Sequence, residues 1–464
     1  MANAPPRLTV AIIGAGVAGP AFGLQLLAHP RLAAHYRPIL FDQTPDPALT
    51  TVAQERRSGR QPSAGAAVGI FANGLYPLYK LGLRTELEAV STAFDSFRIF
   101  RCPTNGTHKQ LAASQNPTWS AELQDAARTV SRADLQRVLL DAFYRHGGEV
   151  RWDKSLAGLR ALDDGRTEVA FDDASTLAAD LVVGADGGFS GVRRHVLHQR
   201  NASTAEERWL PDFVHQNWLL RDLSCARGAA DLAAATETHA LWLDGGVLSS
   251  APLPGGRIRW DLILDAQDPP PTEDAVQSRL PTDAPAWATA LMPSPYTVDD
   301  SIKVLRQFEN VYHPTTGTFG TLLSYAERII RRPLRQRVWN PDEIQHGSVV
   351  LIGDASRLML PSSGQGTGFA IEDATLLARY LLTHHCESPS PERLRIALES
   401  HARERVPRSQ KMARVAYWAG EMSIGRTWFW RVVRDWMPVD SRDRKKLSST
   451  KDSWPFSGRF DVDS

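Results

Sequence analysis

Glycine and aspartate signatures stand directly after apolar runs at three points of this chain, and that arrangement constrains its fold more than any other feature. The first is Gly14-Ala15-Gly16-Val17-Ala18-Gly19, preceded by Leu8, Val10, Ala11, Ile12 and Ile13 and followed by a helix-like stretch from Ala21 to Ala28. Strand, glycine turn and helix in that order form the context of a dinucleotide fingerprint. Gly14 permits the tight turn, Gly16 lets backbone approach a pyrophosphate, and Gly19 lets the helix pack close on the sheet with its N-terminus toward the anion. A second apolar segment, Ile39-Leu40-Phe41, ends in Asp42, 28 residues beyond Gly14; the usual spacing is about 20. Asp42 is therefore the candidate for adenosine ribose hydroxyls.

The second signature closes Asp180-Leu181-Val182-Val183 and continues as Gly184-Ala185-Asp186-Gly187-Gly188-Phe189-Ser190-Gly191-Val192-Arg193-Arg194. In the third, Ser348-Val349-Val350-Leu351-Ile352 runs into Gly353-Asp354-Ala355-Ser356, and after Pro361 a glycine-rich turn opens a helix at about Phe369 to Tyr380. Both place an aspartate at the carboxyl end of a strand, where open α/β sheets bind ligands. Between the first two signatures, Ser131-Arg132-Ala133-Asp134 reads as a helix start with Ser131 as cap. One large phosphate-containing cofactor held by distant segments accounts for all of these pieces.

In this order the pieces resemble the single-component FAD-dependent aromatic hydroxylases, the group A flavoprotein monooxygenases built on the p-hydroxybenzoate hydroxylase fold. The resemblance runs from about Val10 to Gly420 and includes His401-Ala402-Arg403-Glu404-Arg405-Val406-Pro407-Arg408, similar to the basic helix after the family's third motif. It implies an α/β fold: a Rossmann-like FAD-binding domain interleaved with a substrate domain on a mostly antiparallel sheet, followed by C-terminal helices. Residues 1–70, 130–190 and 335–385 are read as the discontinuous FAD-binding domain, 71–129 and 191–334 as the substrate domain, 386–439 as a helical segment and 440–464 as a polar tail.

The resemblance also implies roles. Asp186 lies near the FAD pyrophosphate and the path of the nicotinamide nucleotide, Asp354 contacts the ribityl or pyrophosphate portion, and Arg132 reaches the FAD. The segment from Gly65 to Ile70, with Asn73, passes beside the flavin. The turn with Pro361, Gly364, Gly366 and Thr367 supplies backbone N–H groups at a helix start, directed at the N1–C2=O edge of the flavin, where they favour its anionic reduced form. NADPH or NADH reduces the FAD, O2 adds at flavin C4a, and the resulting hydroperoxide delivers one oxygen atom to an electron-rich carbon by hydroxylation or epoxidation. No His or Cys stands where the family match assigns flavin attachment, so the cofactor is expected to be noncovalent.

Departures from the family pattern are local. Asp42 stands where glutamate is commoner and Gln43 where a basic residue is frequent; Asp is shorter, so the ribose contact is open to mediation by water. Ser356-Arg357 replaces the usual Ala-His and puts a charge beside the cofactor with no assigned role. The insertion from Thr44 to Ser63 carries Arg56, Arg57 and Arg60, read as a solvated basic loop in preference to a 2′-phosphate site.

On the substrate side, the stretch from about 205 to 330 carries Arg208, Trp209, Phe213, His215, Trp218, Arg221, His239, Trp242 and Trp260. Arg221 and Arg208 are the catalytic candidates, for orienting the substrate or the oxidant. Arg221 is preferred because it follows apolar Trp218-Leu219-Leu220 and is costly to bury without a partner. The tryptophans and the absence of a clear cationic clamp point to a bulky, largely uncharged aromatic or indole-type substrate, as in secondary metabolism, over a small benzoate.

Two other classes share some of these features. A flavin-dependent halogenase has the first signature, and Trp428-Phe429-Trp430 is similar to its Trp-x-Trp pair, but that segment lies after the third signature and lacks the following Ile-Pro. A non-catalytic FAD-binding interaction protein is encouraged only by Ser356-Arg357. A net charge of +1 gives no electrostatic case for nucleic acid. Cys102, Cys225 and Cys386 are too widely spaced for a metal site and read as intracellular thiols. With a short polar amino terminus and no apolar run near the ~18 residues of a spanning helix, a cytoplasmic enzyme without an integral membrane segment is expected. Thr427 to Met437 mixes tryptophans with arginines as an interfacial helix does; packing of its aromatics on the body of the protein is the expectation.

Overall fold

The computed structural model describes residues 7–49, 67–199, 223–231, 237–265, 279–425 and 427–436. A six-stranded sheet forms its first layer, in the order Gln345–His346, Val349–Leu351, Leu181–Gly184, Leu8–Ile13, Tyr36–Phe41, Glu149–Arg151. All neighbours are parallel except the Gln345–His346 hairpin edge. A parallel sheet is covered on both faces, so its strands need apolar residues at successive positions. Val10, Ile12, Leu40, Val183 and Val350 face a core shared with the helices Ala18–Ala28, Arg132–Arg145 and Gly366–His384. Ala11, Ile13, Ile39, Phe41, Val182 and Val349 face the opposite way, toward the helix Gly191–Gln199 and a three-stranded antiparallel excursion containing Val169 and Phe171.

The second layer is a seven-stranded sheet in the order Ala326–Leu334, Leu223–Asp231, Arg257–Asp265, Gly246–Leu253, Thr238–Trp242, Ser96–Arg101, Lys109–Gln115. It is antiparallel except for the pairing of Thr238–Trp242 with Ser96–Arg101. Alternation sorts its side chains. Leu241, Leu248, Trp260 and Leu262 join a core with Trp287, Leu305 and Phe319, whereas Trp242, Val247 and Ile263 join Leu360, Ala416 and Ile424. Because Leu360 leads into the Pro361 turn, the second face is the one turned toward the glycine-rich segments.

Two details differ from the sequence expectations. Ser131 stands at the N-cap of Arg132–Arg145 with extended backbone, but its hydroxyl accepts no capping bond; Ser131 is instead paired to Ala67 in a small sheet. The carboxy-terminal aromatics are also placed differently. A long helix, Pro391–Ile424, is followed by a short one, Trp428–Trp436, in which Trp430 packs on Trp418 while Trp428 and Phe429 stay exposed. Among the described residues, no helix is long and apolar enough to cross a membrane.

Candidate cofactor site

Register alone brings the three signatures together. Ile13 pairs with both Gly184 and Phe41, and Gly184 pairs with Leu351, so these strands end at one level. The turns that follow, at Gly14, Asp42, Ala185-Asp186 and Gly353-Asp354, therefore share one edge of the sheet. Their approach is close enough to require glycine. Gly14 has φ +109°, and a Cβ there would stand 2.3 Å from the Ala185 carbonyl oxygen; at Gly19 it would stand 2.0 Å from the Gly14 carbonyl oxygen.

Around the first turn the polar atoms are organised before any ligand is considered. Ala15 N donates to Asp42 Oδ2 at 2.7 Å, and Thr44 donates from its backbone N and its hydroxyl to Asp42 Oδ1 at 2.9 and 2.7 Å. A carboxylate has about four acceptor positions, so Asp42 retains capacity for one further donor such as a ribose hydroxyl. Gln136 Nε2 donates to the Ala15 carbonyl at 2.6 Å. The neighbouring Arg132 places its guanidinium 3.0 Å from where a Gly16 Cβ would be, so a fixed cation borders the glycine turn.

Asp354 stands at the same edge of the sheet, within electrostatic reach of Arg132, so that together they border one recess. Asp354 is solvent-exposed within a densely packed neighbourhood. Burial pushes its carboxyl above the usual range, and Arg357 and Arg132 partly offset that rise. Asp186, half-buried, has its Cα 2.9 Å from where a Gly14 Cβ would be, and its carboxylate braces its own turn. Its carboxylate accepts from Ser190 Oγ at 2.5 Å and from Val192 N at 3.1 Å, fastening the start of the helix Gly191–Gln199. Burial raises its carboxyl, against the pull of those donors.

Sequence reasoning quoted Arg193, Arg405 and Arg408 without giving them a role and did not single out Glu372, Asp373 or Trp339, the groups that with them staple these turns. Arg193 is buried and donates to the Ala355 carbonyl at 2.9 Å and the Gly188 carbonyl at 2.5 Å, joining the second and third turns, with Trp339 under its guanidinium at 4.1 Å. Behind the third turn lies an ionic cluster. Asp373 accepts from Gly353 N at 2.8 Å, Arg357 at 2.5 Å and Arg405 Nε at 2.6 Å. Glu372 accepts from Arg405 at 2.7 Å, from Arg408 at 2.8 and 2.7 Å and from Asn73 at 2.6 Å. Burial pushes both carboxyls up, but the arginines outweigh it and hold them below their ordinary values. Arg357, Arg405 and Arg408 also surround the Phe369 ring at 5.1, 5.0 and 5.0 Å.

This cluster gives Arg357 its role. At 2% exposure it does not project into the recess; it locks Asp373, which in turn holds the Gly353 backbone. The arginine-for-histidine departure is thus part of the turn's support.

Next to the cluster, Pro361–Ser363 is a tight turn ending at Gly364 with left-handed backbone, φ +67°. The helix Gly366–His384 starts immediately beyond, and Gly366 is exposed with open space where a side chain would be. Thr367 is half-buried at that same helix start. Gly65, Arg208 and Arg221 lie outside the described residues, as do Trp209, Phe213, His215, Trp218, Arg56, Arg57 and Arg60. Of the remaining substrate-side candidates, Trp242 is on the sheet face nearer the turns, while Trp260 and His239 are on the far face, Trp260 edge-on to Phe319 and His239 beside Ser250. The glycine turns, the helix start at Ala18, the cation beside Gly16 and the solvent-facing Asp354 fit the diphosphate and polyol parts of FAD.

Comparison with known proteins agrees. The family model "FAD binding domain" matches residues 77–245 and 319–416, more than half of the chain. The salicylate hydroxylase of Pseudomonas putida is 26% identical over 440 residues, covering 91% of this chain and 87% of its own. An FAD-dependent monooxygenase of Aspergillus novofumigatus is 25% identical, covering 86% and 80%. A crystal structure of Klebsiella pneumoniae HpxO with FAD and uric acid shares the fold at a TM-score of 0.67, with 17% identity and 94% of each chain covered. The chain belongs to the FAD binding domain family and is an FAD-dependent monooxygenase of the aromatic hydroxylase type.

Proposed function

We propose that this enzyme uses NADPH or NADH and O2 to insert one oxygen atom into a bulky, largely uncharged aromatic or indole-type small molecule, in secondary metabolism. The observation that carries the reading is the convergence of the Gly14–Gly19 turn, Arg132 and Asp354 on one recess beside the open helix start at Gly366. Bound there, FAD supplies the redox chemistry that divides O2 between substrate and water.

The chain's own residues bind and orient. Backbone N–H groups at Gly16 to Ala18 and the Arg132 guanidinium receive the diphosphate; Asp42 and Asp354 accept from ribose and ribityl hydroxyls. Asp186 keeps the second turn in shape. N–H groups at Gly366 and Thr367, at the start of a helix, stabilise negative charge on the isoalloxazine. Arg221, with Arg208 as the alternative, orients the substrate. The bulky-substrate reading is supported by the tryptophan content of residues 205–260. Burial of Arg357 in the ionic cluster removes the one feature that favoured a binding-only protein.

The test is the purified protein's flavin and its reductant use. Acid precipitation is expected to release FAD, and NADPH or NADH consumption is expected to rise with indole and polycyclic aromatic candidates more than with benzoates. Flavin retained in the pellet, FMN in place of FAD, or stimulation confined to small carboxylates overturns the corresponding part. Arg221→Ala is expected to keep reducible flavin but divert reducing equivalents to hydrogen peroxide, because productive transfer needs substrate held at roughly 3–3.5 Å. Full coupling in that variant with loss in Arg208→Ala moves the role to Arg208.

A further inference from the structure

The long helix Pro391–Ile424 ends at Gly425, whose left-handed backbone (φ +62°) turns the chain into the short helix Trp428–Trp436. One side chain fastens that helix to the body. Arg434, 1% exposed, donates to the carbonyls of Leu243, Ser423 and Ile424 at 3.1, 3.3 and 3.4 Å. The opposite side carries apolar groups into solvent: Trp428 is 74% exposed, Phe429 53% and Val432 47%. The adjoining long helix adds exposed Trp418 and Val415. Ring contacts make the patch continuous, Trp418 to Trp430 at 5.6 Å, Trp430 to Phe429 at 5.5 Å and Phe429 to Trp428 at 6.3 Å. Isolated exposed apolar residues need no explanation, but a contiguous aromatic patch marks an interaction surface.

Charge around the patch selects its occupant. Lys411, Arg414 and Arg431 are exposed beside it, and the acids in the sequence from Arg405 to Trp436 are Glu421, which is buried, and Asp435. A symmetric pairing of two copies through this patch would set those cations against their own equivalents, with Asp435 as the one carboxylate of the short helix to answer them. A surface of anionic lipid offers the complement to both components: the interfacial region takes up tryptophan and phenylalanine, and the head groups take up lysine and arginine.

We propose that the aromatic face of Trp428–Trp436, with Trp418 and the cations Lys411, Arg414 and Arg431, is a docking surface for an anionic membrane interface. The short helix lies in the plane of the head groups, with Trp428 and Phe429 entering the acyl boundary, and Arg434 transmits that attachment to the end of the Thr238–Trp242 strand through the Leu243 carbonyl. The enzyme is then peripheral, attached by one face.

The FAD-loaded full-length protein is mixed with vesicles of phosphatidylcholine alone or with added phosphatidylserine and sedimented. Binding is expected with phosphatidylserine, weaker without it, and reduced by salt. The double variant Trp428→Ser/Phe429→Ser, at exposed positions away from the cofactor turns, is expected to keep its FAD and lose about tenfold or more in vesicle affinity. Lys411→Gln/Arg414→Gln is expected to lose only the phosphatidylserine preference. Absence of vesicle binding, or binding unchanged in the aromatic double variant, overturns the proposal. So does a concentration-dependent dimer that the double variant abolishes, since the occupant would then be a second copy.

Discussion

The two sheets bury polar chemistry in opposite ways. Behind the parallel sheet's third turn, Glu372 and Asp373 are ionised and enclosed by Arg357, Arg405 and Arg408. On the far face of the seven-stranded sheet one buried polar set is held neutral: Ser250 Oγ lies 3.2 Å from His239 Nδ1 and 3.0 Å from His313 Nε2, and Thr316 Oγ1 lies 3.0 Å from His313 Nδ1. Desolvation pushes His313 down to about 3, with His239 adding to the shift. The difference teaches what each cluster is for. Buried ion pairs rarely add net stability, but they fix geometry and are costly to break; here they fix the turn carrying Asp354. A neutral hydrogen-bonded set fills a core at smaller cost and directs nothing toward the cofactor.

The largest expected effect comes from breaking the ionised cluster. Arg405→Met removes bonds to both Glu372 and Asp373 and is expected to cost about 3–5 kcal/mol of stability, with FAD affinity falling as well, read by chemical denaturation and by flavin titration. An unchanged midpoint would mean that the cluster relaxes freely and positions nothing.

Acid tests the comparison next. His401 is buried beside Asp373, Arg405 and Arg357, and neither ring nitrogen has a hydrogen-bond partner among the described residues. Burial is the main cause that lowers it to about 4. The folded protein therefore takes up this proton later than the unfolded chain. Stability is unaffected above pH ~6.5 and is lost as pH falls from there through about 4, by about 3 kcal/mol for this group; His313 acts in the same direction. His401→Leu is expected to flatten the profile in that window, and an identical profile in the variant removes His401 as the cause.

Asp354→Ala sharpens the cofactor side. Loss of a charge-assisted acceptor is expected to lower FAD affinity by roughly one to two decades, about 1.5–3 kcal/mol, while the unfolding midpoint of the FAD-free protein barely moves. Undiminished flavin occupancy after dialysis would falsify its contact with FAD. The smallest effect is expected for Ser250→Ala, which leaves two imidazole nitrogens without their hydroxyl and costs about 1–2 kcal/mol of stability. Its FAD affinity should equal that of the parent protein. A drop there would show that the two sheets are coupled more tightly than the separation of their clusters suggests.

How much was legible follows from what each part is made of. At Gly14 and Gly19 backbone approaches to 2–3 Å, and at Gly184 and Gly353 the side chains of Val192, Leu351 and Ala18 come within 3 Å of where a Cβ would be, so these turns admit only glycine and residue type reports them directly. The strands feeding them are apolar at successive positions because both faces are covered. By contrast, Arg193, Glu372 and Asp373 sit in helices whose sequence looks ordinary, and their partners are distant in sequence, 16 residues for Asp373 with Arg357, 36 for Glu372 with Arg408 and 162 for Arg193 with Ala355. Nothing local marks such a pair. The same holds for Arg357, which beside the Gly353-Asp354 turn reads as a charge at the cofactor, whereas in the fold Asp373 holds it.

The sequence by itself determined the family, the parallel-sheet architecture, the antiparallel second sheet and the positions of the glycine turns, because periodicity and steric exclusion are local properties written in residue type. Only the tertiary structure decided which arginines support the third turn, that Asp186 spends its carboxylate on a helix start, that Trp242 and Trp260 face opposite sides of one sheet, and that Trp428 and Phe429 point away from the body. Those outcomes depend on which distant surfaces meet. A charged or aromatic side chain has the same local signature whether it is enclosed by partners or left facing solvent.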